Sequence, residues 1–429
     1  MKVNKWTVGL AAAGLVTLSP ALLAQTPAPA SAPALTPVLT ALSATTISGY
    51  VDTSAVWNPG TGNANPAPFA FNTPDKRDGF NLDAVDIKIS KAQDETGWSA
   101  GYTAELNYGP DAKAIDNGVG TGTYPIRQAF VALHMPVGNG IDWQIGRWDN
   151  LLGYESSDSY KNPNFTRSYG YTFEPTEHTG LLGSYKFSDS INLQAGVADT
   201  VTTAGVNDRS DPGSVAVETK KAFVSLLTLT APDSWGFLKG SSLYGGIDIG
   251  QGINSYGPTS PGAPFTGSHN KTEWYVGATV NTPVKDLTFG ASYDGIEHND
   301  VYASVNNAGV ITSGVLDSGY FAAYSGYVSY KITDKLTING RGEYATGDGL
   351  AAAESANSAI VAGSPLFDKA LAITGTLQYD LWANVISRLE VRWDHACDRS
   401  TPFGATDVNT GTGSKRNDVM VAANVIYKF

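Results

Sequence analysis

Residues 385–397 read VISRLEVRWDHAC. In an extended strand successive side chains point to opposite faces, so Leu389, Val391 and Trp393 share one face and Arg388, Glu390, Arg392 and Asp394 share the other. One side is apolar and the other fully charged. If the segment crosses a membrane, the charged face has to look into water, because a lysine or arginine facing lipid at mid-bilayer costs about 2–4 kcal/mol. The same test sorts other stretches. It turns Thr337, Asn339, Arg341 and Glu343 inward against Leu336, Ile338 and Tyr344, and Ser99, Thr103, Glu105 and Asn107 inward against Trp98, Tyr102, Leu106 and Tyr108. Asp86 and Lys88 line up inward against Val85, Ile87 and Ile89. At the end of the chain Val419, Val421, Ala423, Val425, Tyr427 and Phe429 share an apolar face opposite Asp418, Asn424 and Lys428. Only 218–230, with its run AFVSLLTLT, shows no clean alternation.

Working outward from 385–397, about sixteen segments of similar length cover the chain from residue 45 to 429. They include 141–154, 218–230, 287–298 and 320–332. Each is long enough to cross a bilayer at a tilt. Their connections alternate strictly. Short ones at 93–96, 137–140, 188–190, 231–240, 282–286, 333–335 and 383–384 take turns with Gly/Asn/Asp/Ser/Pro-rich stretches near 59–79, 109–123, 155–177, 200–217, 252–269, 299–319, 348–369 and 398–416. A soluble sandwich has no reason to alternate in this way. A membrane barrel does, with short periplasmic turns and longer outer loops. The expected fold is therefore an all-β transmembrane antiparallel barrel of about sixteen strands, formed by residues 45–429.

Composition agrees. Charged residues are only 16%, glycine numbers 47, and 21 Tyr and 9 Trp raise the aromatic share to 10%. That excess favours strands. After the first 25 residues no stretch approaches the roughly 18 apolar residues of a spanning helix. The net charge of -12 lacks the basic surface that nucleic acid requires, so nucleic acid is excluded as a partner. Residues 1–24, with Lys2 and Lys5 ahead of an apolar run and small residues at the end, read as a signal peptide. Residues 25–44, alternating Pro and Ala without charge, read as a periplasmic spacer. The single cysteine, Cys397, rules out an intramolecular disulfide in an oxidising compartment.

Three stretches, ISGYVDTSAVWN (47–58), IGRWDNLLGYE (145–155) and NFTRSYGYTFEPTEHTG (164–180), resemble the OmpL-like putative β-barrel porins of bacterial outer membranes. Gly146-Arg147-Trp148 departs from the Gly-Lys-Phe-like triplet expected there, and the local bulk differs accordingly. The resemblance implies an outer-membrane location and passive diffusion of small hydrophilic solutes or ions. Phe429, a terminal aromatic on an outward face, resembles the C-terminal signature that the barrel-assembly machinery reads. By analogy with sixteen-stranded porins, a homotrimer is expected.

In many porins the third loop folds into the lumen. Here that loop, 155–177, carries Glu155, Asp158, Lys161, Arg167, Glu174 and Glu177 among Tyr160, Phe165, Tyr169, Tyr171 and Phe173. So many aromatics would expose a large apolar surface in water. Asp158, Lys161, Arg167, Glu174, Glu177 and the nearby Arg147 are accordingly the candidate pore constriction. Strict alternation from Ile141 and Trp143 would turn Arg147 outward unless the strand bends near Gly146. Glu105, Arg341, Glu343, Arg388, Glu390, Arg392 and Asp394 are the candidate lining of the wall. Arg147, Arg341, Arg388 and Arg392 then form one side of a crossed-charge eyelet, or instead Arg341 pairs locally with Glu343, and Arg388 and Arg392 with Glu390 and Asp394. Loss of Lys2 and Lys5 with the signal peptide makes the net charge more negative and hints at a cation preference.

The five histidines show no metal-binding spacing, and His178 and Ser184, six residues apart on one strand, lie about 20 Å from each other, too far for a nucleophile and base. No catalysis and no cofactor are expected. GDG at 347–349 reads as a turn as readily as a calcium loop. The competing reading is a structural or adhesive barrel with a closed lumen.

Overall fold

The computed structural model describes residues 44–73, 76, 78–115, 126–201, 206–207, 220–251, 269–305, 311–347, 368–405 and 413–429. The expected signal peptide and all but the last residue of the expected spacer lie outside them, as do much of several outer loops and most of the 347–349 stretch. The chain divides into Met1–Thr45 and Thr46–Phe429.

The second unit is a closed sixteen-stranded barrel. Its strands are β1 Thr46–Trp57, β2 Gly79–Lys91, β3 Ser99–Tyr108, β4 Ile126–Met135, β5 Ile141–Asp149, β6 Glu177–Ser188, β7 Ile191–Ala198 and β8 Ala222–Thr230. The second half comprises β9 Ser242–Gln251, β10 His269–Asn281, β11 Leu287–Val305, β12 Ile311–Lys331, β13 Leu336–Gly347, β14 Lys369–Trp382, β15 Val385–Ala396 and β16 Asn417–Lys428. Each strand pairs antiparallel with its chain neighbour. The seam closes by β1 on β16, from Tyr50 opposite Lys428 to Trp57 opposite Val421. Phe429 finishes it: its N–H donates to Gly49 O at 3.0 Å and its carbonyl accepts from Gly49 N at 3.1 Å. Closure leaves no edge strand, the one way a sheet satisfies its backbone in hydrocarbon.

The two faces of β15 are those read from its sequence. Leu389 is 52% and Val391 49% exposed, while Arg392 and Glu390 are 0%. Exposed aromatics gather at both ends of the outer surface. Trp98, Trp235 and Trp382 stand by the short turns, and Trp57 and Phe80 by the long loops, in the manner of interfacial girdles.

Two boundaries differ from expectation for physical reasons. Of residues 299–319, expected as a long loop from their Asn, Asp, Gly and Ser content, 299–305 and 311–319 instead continue the sheet. Val301 pairs with Leu316 and Tyr302 with Val315, and the β-branched and aromatic residues among them favour the extension of β11 and β12 past the length a bilayer needs. The segment 141–154 ends early, at Asp149, where the chain turns away from the wall.

Strand β8 alternates after all. Phe223, Leu227 and Leu229 are exposed, whereas Ala222, Val224 and Leu226 are buried. Its inner face is apolar because it meets protein: Leu151 packs with Val224 and Trp148, and Leu152 with Leu226 and Tyr275.

Candidate functional site

The element that meets β8 is the connection from Asn150 to Thr176, which lies inside the barrel. Just ahead of it, still within β5, Gly146 has a φ of +135°, a backbone conformation that side chains rarely permit. Ile145 still faces outward at 47% exposure, yet Arg147 and Trp148 are both buried. The bend turns Arg147 into the lumen. There its Nε donates to Arg127 O at 3.1 Å, and its Nη2 lies 3.4 Å from Glu177 Oε2.

Further along, the loop docks on β13–β15 through charge-assisted hydrogen bonds. Arg388 donates to Ser159 O at 3.1 Å and Asn162 O at 2.6 Å. Glu390 accepts from Phe165 N at 2.6 Å, Thr166 N at 2.9 Å and Thr166 Oγ1 at 2.6 Å. Arg341 reaches Thr166 O at 2.6 Å and Glu155 Oε1 at 2.7 Å, and Arg392 reaches Arg167 O at 2.6 Å. A short helical turn, Tyr169–Phe173, follows, with the Ser168 hydroxyl accepting from Tyr171 N at 3.1 Å. Its first residue is clamped twice, with Tyr169 N donating to Glu343 and its hydroxyl to Asp394, both at 2.7 Å.

Buried charge demands compensation. Arg167, Arg341, Arg388 and Arg392 are matched by Glu155, Glu343, Glu390 and Asp394, all eight buried. Arg341 pairs with Glu343 at 2.6 Å and Arg392 with Asp394 at 2.8 Å. Arg167 lies over the rings of Phe71 and Tyr171 while donating to three carbonyls, of Ser156, Phe165 and Ser157. The arginines of this wall thus hold the loop itself and do not face it across an opening. The first long loop packs above: Ala70 N donates to Thr172 Oγ1 at 2.9 Å, and Phe69 lies beneath Arg392.

On the opposite side the hub is Arg127, a residue the sequence did not single out. It contacts Glu105 and Asp158, pairs with Asp149 at 2.7 Å, and lies 3.9 Å from Glu177. A register shift between Glu105 and Leu106 buries both Arg127 and Gln128, so strict alternation could not have found it. Burial alone would raise the Asp158 carboxyl, but Arg127 and Lys161, the latter 2.6 Å away, outweigh it and hold Asp158 below the usual carboxylate range.

The six candidate constriction residues therefore divide. Arg147, Asp158 and Glu177 surround Arg127, with Lys161 on Asp158. Arg167 joins the β13–β15 wall, and Glu174 meets Asp294 of β11. Lys161 lines a chamber of about 620 Å³ between the loop and the short-turn ends of β9–β14. His178 packs at a tilt against Trp148, ring centroids 5.2 Å apart, and lies 3.2 Å from Asp248. Among the described residues no group of His, Cys, Asp and Glu is arranged to hold a metal ion.

A closed sixteen-stranded barrel with lipid-facing apolar residues, charged inner walls and an inserted loop defines an outer-membrane β-barrel of the porin type. The chain belongs to the family described as "Putative beta-barrel porin-2, OmpL-like", whose model matches residues 44–429. No curated protein sequence matches it. Among solved structures it is similar to the outer-membrane channel DcaP of Acinetobacter baumannii, with a TM-score of 0.53, 13% identity, and coverage of 90% of this chain and 97% of that one. An anion-selective porin from Comamonas acidovorans gives 0.53, 12%, 90% and 99%. The trimer form of Vibrio cholerae OmpT gives 0.52, 11%, 90% and 99%. At these identities the likeness is one of fold.

Proposed function

We propose that this barrel is a porin through which small hydrophilic solutes diffuse passively, narrowed by the loop at 150–176 and without catalytic activity. The observation that carries this reading is the chamber of about 620 Å³ beside the inserted loop, bordered by hydroxyl and amide side chains. A sixteen-stranded barrel is too wide for its own wall side chains to fill, and polar groups at such a surface keep it wet. Constriction by Arg147, Asp158, Lys161, Arg167, Glu174 and Glu177 belongs to the same proposal. So do export by residues 1–24, a periplasmic spacer at 25–44, reading of Phe429 by the assembly machinery, and trimeric assembly like the form solved for Vibrio cholerae OmpT.

Reconstitution into planar bilayers tests it. Steady open-channel steps are expected, and deletion of residues 158–172 should raise their conductance in a barrel that still shows a folded electrophoretic band. A folded barrel that gives no steps would point to the closed, structural alternative. Reversal potentials in a salt gradient measure ion preference. The wall arginines contribute little to it here, being neutralised where they grip the loop.

A further inference from the structure

The chamber has a chemical character unlike the rest of the lumen. Carboxylates crowd the inner wall nearer the long loops, where Asp248, Glu273 and Asp294 are buried on β9, β10 and β11. None of these lines the chamber, and Lys161 is the one charged residue among those that do. Lys161 in turn is bound to Asp158 at 2.6 Å. The chamber is therefore close to electrically neutral inside a chain of net charge -12.

Its most frequent lining residue is tyrosine: Tyr154, Tyr160, Tyr244, Tyr275 and Tyr327. These rings are held in place. Tyr154 stacks on Tyr327, centroids 4.1 Å apart and planes 19° from parallel. Its hydroxyl lies over Gly290, where a Cβ would overlap it, and hydrogen-bonds Thr279. Tyr160 is braced edge-on by Tyr50 at 5.3 Å. Between the rings stand uncharged hydrogen-bonding groups. Ser329 donates to Asn339 at 2.6 Å, Asn339 donates to Pro163 O at 2.9 Å, and Gln378 accepts from Arg388 at 3.2 Å.

Rigid aromatic surfaces interleaved with hydroxyls and amides match a ligand that has flat C–H faces and many hydroxyl groups. An anion would find a single ammonium already paired, and a cation would find no carboxylate. We propose that this chamber is a binding site for neutral polyhydroxylated solutes, that is, short sugars. Their hydroxyls replace chamber water with equivalent hydrogen bonds, and the tyrosine rings supply the apolar contact that water does not. The volume falls within the roughly 300–1,000 Å³ of small-molecule sites. The inference rests on the porin reading and adds a substrate class to it.

The test uses the full-length barrel in planar bilayers, with maltotriose as the probe and a polyethylene glycol of equal hydrodynamic radius as the control. Maltotriose should depress the open-channel current saturably, and the polymer should not. Tyr154→Ala and Tyr244→Ala should each raise the half-blocking concentration about fivefold or more, and Tyr154→Phe by clearly less than Tyr154→Ala. The titration of the unmodified protein decides the matter even where a substitution prevents folding. Channel steps with a current that declines linearly in maltotriose, as it does in the polymer, overturn the sugar site and leave the porin reading standing. Absence of steps overturns both.

Discussion

Arg341 illustrates how one side chain fixes the lumen. Its planar guanidinium donates to Glu343 at 2.6 Å and Glu155 at 2.7 Å, and to Thr166 O, Thr166 Oγ1, Arg167 O and Thr374 Oγ1 at 2.6–3.3 Å. A lysine lacks that fork and reaches only part of the set. Arg341→Met would leave Glu155 buried without its cation and Glu343 with only Arg392, 3.7 Å away, a loss of about 3–5 kcal/mol by comparison with other broken buried pairs. The expected outcome is release of the loop, read as new protease cleavage between residues 150 and 176 and as a larger, noisier channel. Unchanged protease protection together with unchanged conductance would show that the arginine wall does not hold the loop. The inward direction of Arg341, Arg388 and Arg392 was legible because alternation is strict on β13 and β15. The same-face pairing of Arg341 with Glu343 and of Arg392 with Asp394 was among the alternatives the alternation offered, but their loop partners were not, since hydrogen bonds to Thr166 O or Asn162 O depend on where a loop some two hundred residues earlier in the chain comes to rest. Arg127 stays hidden for a local reason, a register shift that breaks the two-residue period, whereas Arg147 is placed inward only on the condition of a bend near Gly146, which the left-handed glycine supplies.

The loop is anchored at its far end by acid rather than by arginine. Glu174 faces Asp294 of β11, Glu273 of β10 and Glu155 of the loop itself, with Tyr275 beside it. Lys271 stands nearby, 3.2 Å from Glu273 and 3.4 Å from Phe173 O. Burial first, and then the neighbouring Asp294, push the Glu174 carboxyl well above its ordinary range. The docked loop therefore binds more protons than a released one. Docking at this end is strongest below the ordinary glutamate value and weakens as pH rises through the raised one. Single-channel records across that range should show growing conductance fluctuations as pH increases, and Glu174→Gln should flatten the profile. Identical pH profiles in the two proteins would remove Glu174 from any part in docking. At this scale the sequence carries a signal that alternation alone does not decode. AFVSLLTLT lacks polar alternation because Val224 and Leu226 face the leucines of the inserted loop and not water. An inward apolar patch on a barrel strand is the mark that a docked loop leaves on its wall. The continuation of β11 and β12 was missed from the opposite error, in which Asn, Asp and Gly were weighed above the Val, Tyr and Ile among them.

For the molecule as a whole, the outer surface decides where the barrel resides. Closure through Phe429 and Gly49 leaves its backbone paired all round, and the side chains outside are apolar through the middle of each strand with tryptophan near the ends. Lipid imposes a depth dependence on such a surface that water does not. Val391 lies on the outer face at the middle of β15, and Ser387 lies on the same face near its short-turn end. Val391→Arg places a cation near the bilayer midplane, where the cost is about 2–4 kcal/mol, whereas Ser387→Arg reaches the interface, where it falls to about 0–1 kcal/mol. Urea titrations of folding into phospholipid vesicles, followed by the electrophoretic shift between folded and unfolded bands, measure both. The expected order is a large loss for Val391→Arg and a small one for Ser387→Arg. Equal losses would mean that the two positions meet the same medium, and a barrel whose outer wall has no hydrocarbon gradient does not span a membrane.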